Sequence, residues 1–281
     1  MNNIWFRELY TDHLGVMFRI KDMKYSNKSP FQEIVVVDTY EFGRALLLDG
    51  KTMLTEKDEH IYHEMIVHSP MTINPLIKKV LIIGGGDGGS VRELVKYSTI
   101  ESIDLVDIDK EVIEVSKKYL QFTAQSLDDP RVHIYNEDGS EFVKKIEKEH
   151  YDLAIIDSTD PVGPGAKTPA FTLITEEFLE NVAEVLTKSG IFIAQTESPS
   201  YEAEYLKSYH KKLRKYFNYI APRIIMVPSY SGLWSLTFAS NVHDFYSLNL
   251  DSLKTKESLN VKYFSSEFMK YSILFGKYLP Y

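Results

Sequence analysis

The chain has 281 residues, of which 44% are hydrophobic and 26% are charged, a composition that indicates a folded globular protein. Its formal net charge of −8 disfavours a nucleic-acid-binding protein, which needs clustered lysine and arginine, and favours a cationic ligand. The sequence has no cysteine and no run of about 20 apolar residues, so we expect neither disulfides nor a membrane helix. A packed enzyme of the reducing cytoplasm is the resulting expectation.

The amino-terminal part predicts a small antiparallel β domain, which we assign to residues 1–56. Its strand candidates are WFRELY, LGVMFRI, FQEIVVVDT and RALLLDG, with turn residues such as Gly43 and Asp49-Gly50 between them. A helical pattern follows in EHIYHEMIVHSPM. Because proline interrupts helices, we expect this helix to end near Pro70.

The remaining chain, residues 57–281, alternates between strands and helices. The strand candidates are KKVLIIGGG, SIDLVDI, RVHIY, YDLAIID and GIFIAQ, and strands around PRIIMV and LWSLTFAS complete the series. Helix-like segments separate most of them. Strands that alternate with helices need crossover connections, which predicts an α/β fold with a mostly parallel sheet of about seven strands.

A glycine-rich turn, GGGDGG at residues 84–89, lies between a predicted strand and a predicted helix. Gly84 and Gly86 begin a G-x-G-x-x-G pattern, and Asp107 ends the next strand about 20 residues later, where a carboxylate can bind ribose hydroxyls. Asp87 inside the turn would repel a pyrophosphate or the carboxylate of S-adenosylmethionine. It could pair with the free ammonium of decarboxylated S-adenosylmethionine, which we therefore expect as a co-substrate.

Two carboxylates, Asp157 and Asp160, follow the strand LAIID in a loop stiffened by Pro161 and Pro164. The carboxyl ends of parallel strands hold ligands, although an aspartate can also cap a turn or a helix. An amine that attacks the carbon beside a sulfonium must first lose a proton, because its pKa is about 10. We predict Asp157 as the catalytic residue for this step, its pKa raised by burial and by neighbouring carboxylates.

Aromatic walls are expected along a channel for a polyamine, since ring faces attract ammonium groups. Tyr62, Tyr230 and Trp234 are candidates, with ordinary packing as the alternative for any one of the 19 tyrosines. The pattern His60-x-x-His63 matches neither zincin order and has no evident third ligand, so we predict no metal. His63 is expected instead as a hydrogen-bonding group at the rim of the pocket.

The order of motifs along the chain resembles that of the spermidine synthases, a family of polyamine aminopropyltransferases. The motifs are GGGDGGSVRE, LVDID, YNEDGSEF, IIDSTDPVGPG, AQTESP and PSYSGLWS, preceded by SPFQEI, LLLDG and EHIYHEM. The resemblance implies a methyltransferase-like Rossmann fold with a seven-stranded, mostly parallel sheet. It also implies a small amino-terminal β-hairpin domain for contacts in a homodimer or homotetramer, and an active site under a mobile loop near residues 164–172.

The activity that this resemblance implies is transfer of the aminopropyl group of decarboxylated S-adenosylmethionine to putrescine. The products are spermidine and methylthioadenosine, and no separate cofactor is needed. Cadaverine, agmatine or spermidine could replace putrescine, since one methylene in an apolar slot changes discrimination by only about 1 to 3 kcal/mol. An S-adenosylmethionine-dependent methyltransferase is the rival enzyme, and a nucleoside or polyamine sensor is the rival binding protein.

The resemblance also implies a role for each matching residue. The nucleoside side comprises Gln32 at the thioadenosine moiety, Asp107 at the ribose, Asp138 and Gly139 at the adenine, and Pro164. Asp87 would bind the amine of the donor. The residues expected along the amine channel are Tyr62, His63, Asp160, Gln195, Tyr230 and, nearby, Trp234. Asp157 would accept or relay the proton.

Three positions depart from the residues that the family usually has. Asp107 stands in place of glutamate, which shortens a ribose ligand by one methylene. Ser229 stands in place of threonine and Ser231 in place of proline, on either side of Tyr230 at the amine end. The segment KTPAFTLIT after Pro164 is also longer than usual. These departures affect the expected choice of acceptor and the loop more than the reaction itself.

Overall fold

A computed structural model describes residues 4–161, 168–248 and 259–277 of the chain. Its strands form two sheets, a five-stranded antiparallel sheet at the amino terminus and a seven-stranded sheet in the rest of the chain. Helices flank the larger sheet, which confirms the predicted α/β fold class. No helix within the described ranges is long and apolar enough to cross a membrane.

The amino-terminal sheet is a meander in which each strand pairs with the next along the chain. Its strands are β1 (Trp5–Leu9), β2 (Gly15–Lys28), β3 (Glu33–Thr39), β4 (Arg44–Leu48) and β5 (Lys51–Thr55). Asp49 and Gly50 have φ values of 48° and 72°, the left-handed geometry of a two-residue hairpin turn. This turn sets Lys51 opposite Leu48 and so fixes where β5 begins.

The seven-stranded sheet has the strand order β11-β12-β10-β9-β6-β7-β8. Its strands are β6 (Lys79–Gly84), β7 (Ser102–Val106), β8 (Val132–Tyr135), β9 (Tyr151–Asp157), β10 (Leu186–Gln195), β11 (Tyr219–Val227) and β12 (Gly232–Ser240). Strand β12 runs antiparallel to both of its neighbours, and the other pairs are parallel. The apolar runs 80–83 and 153–156 are buried, as expected for strands covered on both faces.

Eight α-helices are present among the described residues, besides two short 3-10 helices, Pro169–Ile174 and Pro228–Tyr230. They are α1 (Glu59–Ile73), α2 (Gly89–Leu94), α3 (Lys110–Tyr119), α4 (Gln121–Ala124), α5 (Gly139–Val143), α6 (Glu176–Val185), α7 (Ala203–Leu213) and α8 (Ser266–Lys277). The expected end of the first helix near Pro70 is wrong, because α1 continues to Ile73. Most of α1 is buried against α2, β10 and β11, and this burial outweighs the cost of an interior proline, about 3 kcal/mol.

The two sheets are joined by an apolar cluster. Ile34 and Leu46 of the amino-terminal sheet pack with Val112 and Val115 of α3, and all four side chains are buried. The contact holds β4 and β5 beside the carboxyl ends of β6 and β7, so residues from both sheets line one cavity. The functional site is therefore built between two parts of the chain that are distant in sequence.

Candidate active site

The cavity lies between the amino-terminal sheet and the carboxyl ends of β6, β7, β9 and β10, and it encloses about 1100 Å³, its open mouth included. This edge is where open α/β sheets hold ligands. The predicted site residues that line it are Gln32, Tyr62, His63, Gly84, Gly86, Asp87, Asp107, Asp138, Gly139, Asp157, Asp160, Gln195, Tyr230 and Trp234. Pro164, the remaining predicted residue, lies outside the described residues.

The glycine-rich turn crosses from β6 to α2 with very little space around it. Gly84 has a φ of 80°, and a Cβ added there would lie 2.2 Å from the backbone oxygen of Asp157. A Cβ added to Gly86 would lie 2.6 Å from Oδ2 of Asp107. Glycine is therefore required at both positions, because no other residue lets the turn approach its neighbours so closely.

Asp107, at the end of β7, is fixed by the backbone of this turn. Its carboxylate accepts hydrogen bonds from the backbone N–H of Gly86 at 3.0 Å and of Asp109 at 2.9 Å. Burial raises the pKa of Asp107 to about 6, although both hydrogen bonds oppose the rise. Gln32 reaches the same region from the amino-terminal sheet and donates from Nε2 to Asp109 at 3.0 Å.

The start of α5 also lines the part of the cavity that contains the glycine-rich turn and Asp107. Asp138 caps the helix by accepting hydrogen bonds from the backbone N–H and the hydroxyl of Ser140, at 2.8 Å and 2.7 Å. A Cβ added to Gly139 would lie 2.4 Å from Cγ2 of Ile83. The walls between these polar groups are apolar and were not predicted as site residues: Leu46, Leu48, Ile83, Val106, Ile108, Val112, Ala170 and Leu173. A flat, mostly apolar ring fits such a slot.

Three ionisable groups meet at the centre of the cavity. One ligand-capable atom from each of His63, Asp87 and Asp157 lies within 4.8 Å of the other two. Nε2 of His63 lies 3.3 Å from Oδ1 of Asp87, which also accepts the backbone N–H of Gly89 at 2.8 Å. These groups could surround a small cation, either an ammonium group or a metal ion.

The charge of His63 is set by two buried carboxylates, Asp87 and Glu59. Burial lowers the pKa of His63, but Asp87 and Glu59 together outweigh burial and raise the pKa to about 10. A histidine with this pKa carries a proton at neutral pH, so both ring nitrogens are hydrogen-bond donors towards Glu59 and Asp87. For Asp87, burial favours the neutral acid, yet the neighbouring histidine holds the pKa below its usual value.

Asp157 is placed between two hydroxyl donors at the carboxyl end of β9. The phenol of Tyr62 donates to Oδ1 at 2.7 Å, and Oγ of Ser90 donates to Oδ2 at 2.6 Å. Burial raises the pKa of Asp157, and the negative charge of Asp87 raises it further. The carboxyl group is therefore a stronger base than an exposed aspartate, which is what proton transfer from an amine requires.

A buried chain of alternating charges supports His63 from behind. Nδ1 of His63 lies 2.6 Å from Oε2 of Glu59. The guanidinium group of Arg92 donates to both carboxylate oxygens of Glu59, at 2.7 Å and 2.9 Å. Burial alone would raise the pKa of Glu59, but His63 and Arg92 lower it to about 2. Sequence reasoning missed Glu59 and Arg92. The four-residue spacing of Glu59 and His63 on one face of α1 was the available signal.

The far end of the cavity is acidic. Asp160 and Glu8 line the cavity, and burial raises the pKa of these carboxyl groups to about 6 and about 7. Glu197 is buried beside Asp160, and burial raises its pKa well above the usual value. Gln195 is oriented at this end by donating to the backbone oxygen of Ser158 at 3.2 Å. Neither Glu8 nor Glu197 was predicted, since neither has a neighbour in sequence that marks it.

Aromatic side chains line the passage between the centre and the acidic end. The ring centroid of Tyr230 lies 6.3 Å from that of Tyr62 and 5.0 Å from that of Trp234. Nε1 of Trp234 is buried and has no hydrogen-bond partner among the described residues. Ser231 has a φ of 58°, which a proline ring cannot adopt, so the proline that the resemblance implies at this position would not fit this backbone next to Tyr230.

The seven-stranded sheet, the glycine-rich turn and the acidic, aromatic channel define a Rossmann-like transferase. Residues 59–249 match the spermine/spermidine synthase domain, and residues 4–56 match the spermidine synthase tetramerisation domain. The chain therefore belongs to the spermine/spermidine synthase family, and it is an enzyme of the aminopropyltransferase class.

Relatives cover almost the whole chain. Polyamine aminopropyltransferases of Alkaliphilus metalliredigens and Clostridium perfringens are 45% and 46% identical to it, over 94% and 95% of this chain and 92% and 93% of their own. A spermidine synthase solved in complex with the transition-state analogue AdoDATO has a TM-score of 0.89 at 36% identity. The Thermotoga maritima enzyme has a TM-score of 0.87 at 36% identity. Both similarities cover 97% of this chain, and 92% and 91% of the solved chains.

Proposed function

We propose that the enzyme transfers the aminopropyl group of decarboxylated S-adenosylmethionine to putrescine, with spermidine and methylthioadenosine as products. The observation that carries the proposal is the distribution of carboxyl groups along one cavity. Asp87 lies at the glycine-rich turn, Asp157 lies next to it, and Asp160 lies farther along the channel. Carboxylates placed along one cavity suit two cationic substrates bound end to end, because the two substrates would otherwise repel each other.

The nucleoside would occupy the half of the cavity beside the glycine-rich turn. Asp107 is positioned for the ribose hydroxyls, and the apolar slot beside Asp138 and Gly139 suits the adenine ring. Gln32 lines the cavity from the other sheet and would contact the thioadenosine moiety, and the contact of Pro164 with the nucleoside stays a prediction outside the described residues. The donor's ammonium group would lie beside Asp87, and the negative charge of Asp87 would select against a donor that keeps its carboxylate.

The acceptor amine would enter along Tyr62, Tyr230 and Trp234, with Gln195 and Asp160 beside its far end. Its neutral nitrogen attacks the methylene carbon next to the sulfonium, a C–N bond forms and the C–S bond breaks. The electron pair of the C–S bond goes to sulfur, which leaves a neutral thioether, and the proton of the amine passes to Asp157. No covalent enzyme intermediate is needed, and orientation with placed charges supplies most of the acceleration.

The carboxyl groups beyond the aromatic passage support a diamine as the acceptor. Such a diamine can place one nitrogen at Asp157 while its other end, an ammonium group, lies near Asp160 and Glu8. Cadaverine and agmatine have the same pair of functional ends and remain the alternative acceptors. With any of these acceptors, a methyltransferase reaction is disfavoured by charge. Its donor, S-adenosylmethionine, keeps a carboxylate that would lie against Asp87.

A homo-oligomer is part of the proposal. The match to a tetramerisation domain supports it, and so do exposed apolar side chains on the amino-terminal sheet, such as Trp5, Met17 and Met23. A cytoplasmic location stays a prediction from the cysteine-free composition.

The test is incubation of the purified protein with decarboxylated S-adenosylmethionine and each of putrescine, cadaverine, agmatine and spermidine, with products identified by mass spectrometry. We expect methylthioadenosine in an amount equal to the aminopropylated amine, fastest with putrescine. Titration calorimetry with intact and decarboxylated S-adenosylmethionine is the companion measurement. Tighter binding of the intact molecule, or methylated products, would overturn the proposal in favour of a methyltransferase. Binding of both substrates without turnover would favour a sensor.

A further inference from the structure

A lysine whose position is set by a tight turn lies behind the wall of the acidic end of the cavity. Lys51 is the first residue of β5, directly after the left-handed pair Asp49 and Gly50. Its Nζ donates a hydrogen bond to the backbone oxygen of Leu9 at 2.6 Å and lies 5.6 Å from the centre of the Tyr10 ring. Tyr10 lines the cavity, so the ammonium group of Lys51 is held just behind its wall.

The charge of this ammonium group acts on several carboxyl groups at the acidic end. Glu8 is 3% exposed and accepts hydrogen bonds from the backbone N–H and hydroxyl of Thr52, at 3.1 Å and 2.6 Å. Glu197 is 4% exposed, and its Oε1 has no hydrogen-bond partner among the described residues. Burial raises the pKa of Glu8, Asp160, Glu197 and Glu202, and in all four cases the charge of Lys51 opposes the rise.

Lys51 supplies a positive charge where an extended polyamine would bring one. A diamine with one nitrogen at Asp157 places a single ammonium group near Asp160 and Glu8. A triamine bound in the same way places its second nitrogen there and carries a third beyond it, towards Lys51. The carboxyl groups at this end therefore face two cations with a diamine, one from the substrate and one from the chain, and three with a triamine.

We propose that Lys51 is a specificity-determining residue that restricts the acceptor to amines with one distal cation. This inference rests on the proposed function, because it concerns the acceptor of the same reaction. The lysine cannot move away freely, because the hairpin turn fixes its backbone and the hydrogen bond to Leu9 holds its Nζ. If the third nitrogen comes within about 8 Å of Nζ of Lys51, repulsion between two unit charges at an effective dielectric constant of about 20 gives about 30-fold discrimination.

The experiment compares the purified full-length enzyme with Lys51→Met, which removes the charge and keeps a long apolar side chain. The ratio of kcat/KM for spermidine to that for putrescine should rise by about 10-fold or more, mainly through KM for spermidine. Lys51→Arg should keep the wild-type ratio because it keeps the charge. Lys188→Met is the matched control: Lys188 is exposed near the beginning of β10, at the opposite end of the sheet from the cavity.

A ratio in Lys51→Met that equals the ratio in Lys188→Met, with both proteins folded, would overturn the inference. Calorimetric binding of putrescine and of spermidine to wild type and Lys51→Met gives a second readout that needs no turnover. If no variant releases methylthioadenosine with any amine, the proposed function fails. The binding preference still decides the role of Lys51, because a wild type that binds spermidine as tightly as putrescine contradicts it.

Discussion

Replacement of Asp157 by asparagine tests the proton-transfer step at the centre of the cavity. The change keeps the size of the side chain but removes its ability to take a proton. General base catalysis contributes about 10²- to 10⁴-fold, so we expect kcat to fall by that factor, or about 3 to 5 kcal/mol of transition-state free energy. The binding of the nucleoside donor should change little, since its adenine and ribose are expected beside Asp107 and Asp138.

The same substitution should not destabilise the unliganded fold. In the wild type, carboxylate atoms of Asp87 and Asp157 lie within 4.8 Å of each other, and two charges at that distance repel by about 3 kcal/mol at an effective dielectric constant of about 20. Asparagine removes this repulsion together with a smaller attraction to the charged His63, and it also removes the cost of burying a charge. It loses one acceptor for the hydroxyls of Tyr62 and Ser90, which costs about 1 kcal/mol. The Tm of Asp157→Asn should therefore equal or exceed that of the wild type.

The assay is release of methylthioadenosine at saturating concentrations of both substrates, followed as a function of pH. Burial, and then Asp87, raises the pKa of Asp157, so wild-type kcat should increase with pH as this carboxyl group ionises. This increase of kcat with pH should be absent in Asp157→Asn. Asp152→Asn is the matched control, since Asp152 lies at the other end of the same strand and binds the backbone N–H groups of Lys78 and Lys79. A variant at position 157 with near-normal kcat and an unchanged pH profile would refute the assigned role.

Three further predictions concern other parts of the site. Arg92→Met leaves the buried Glu59 without its bidentate partner, so the free energy of unfolding measured in urea should fall by about 3 to 5 kcal/mol, and an unchanged midpoint would contradict this. Gly139→Ala adds a Cβ 2.4 Å from Cγ2 of Ile83, so calorimetry should show about 10-fold or more weaker binding of methylthioadenosine, and equal affinity would argue against an adenine slot here. Burial raises the folded-state pKa of Glu8 from 4.5 to about 7, so its contribution to stability is present below pH 4.5 and is lost as pH rises through 7. The difference in Tm between pH 5 and pH 8 should accordingly be smaller in Glu8→Gln than in the wild type, and an equal difference would contradict the shift.

The parts of the site that follow from local order could be predicted from the sequence. A strand that ends in Gly84 and a strand that ends in Asp157 must meet at one edge of a parallel sheet, whatever surrounds them. The ligand preference of the turn around Asp87 could also be predicted from the local sequence, since a carboxylate among glycines excludes negatively charged ligands. These features depend on neighbours within a few residues or on a simple rule of sheet topology.

The parts that depend on how the two sheets pack could not be predicted in the same way. Glu8 lines the cavity, with Lys51 behind the wall, only because the apolar cluster around Ile34 and Val112 brings the sheets together. Nothing in the short strand around Glu8 distinguishes it from an ordinary exposed glutamate. Helix α1 shows the same limit, because its passage through Pro70 depends on burial by other elements.

The alternating charges of Asp87, His63, Glu59 and Arg92 also limit how such a site can change through evolution. Each of these side chains contacts an oppositely charged neighbour away from water. A single substitution therefore leaves a buried charge without its ion-pair partner. Viable sequence change is then restricted to paired replacements or to steps through a neutral intermediate with reduced stability. Three short segments, around residues 59–63, 87 and 92, are therefore inherited as one unit, although the folded molecule uses only Asp87 and His63 to face the cavity.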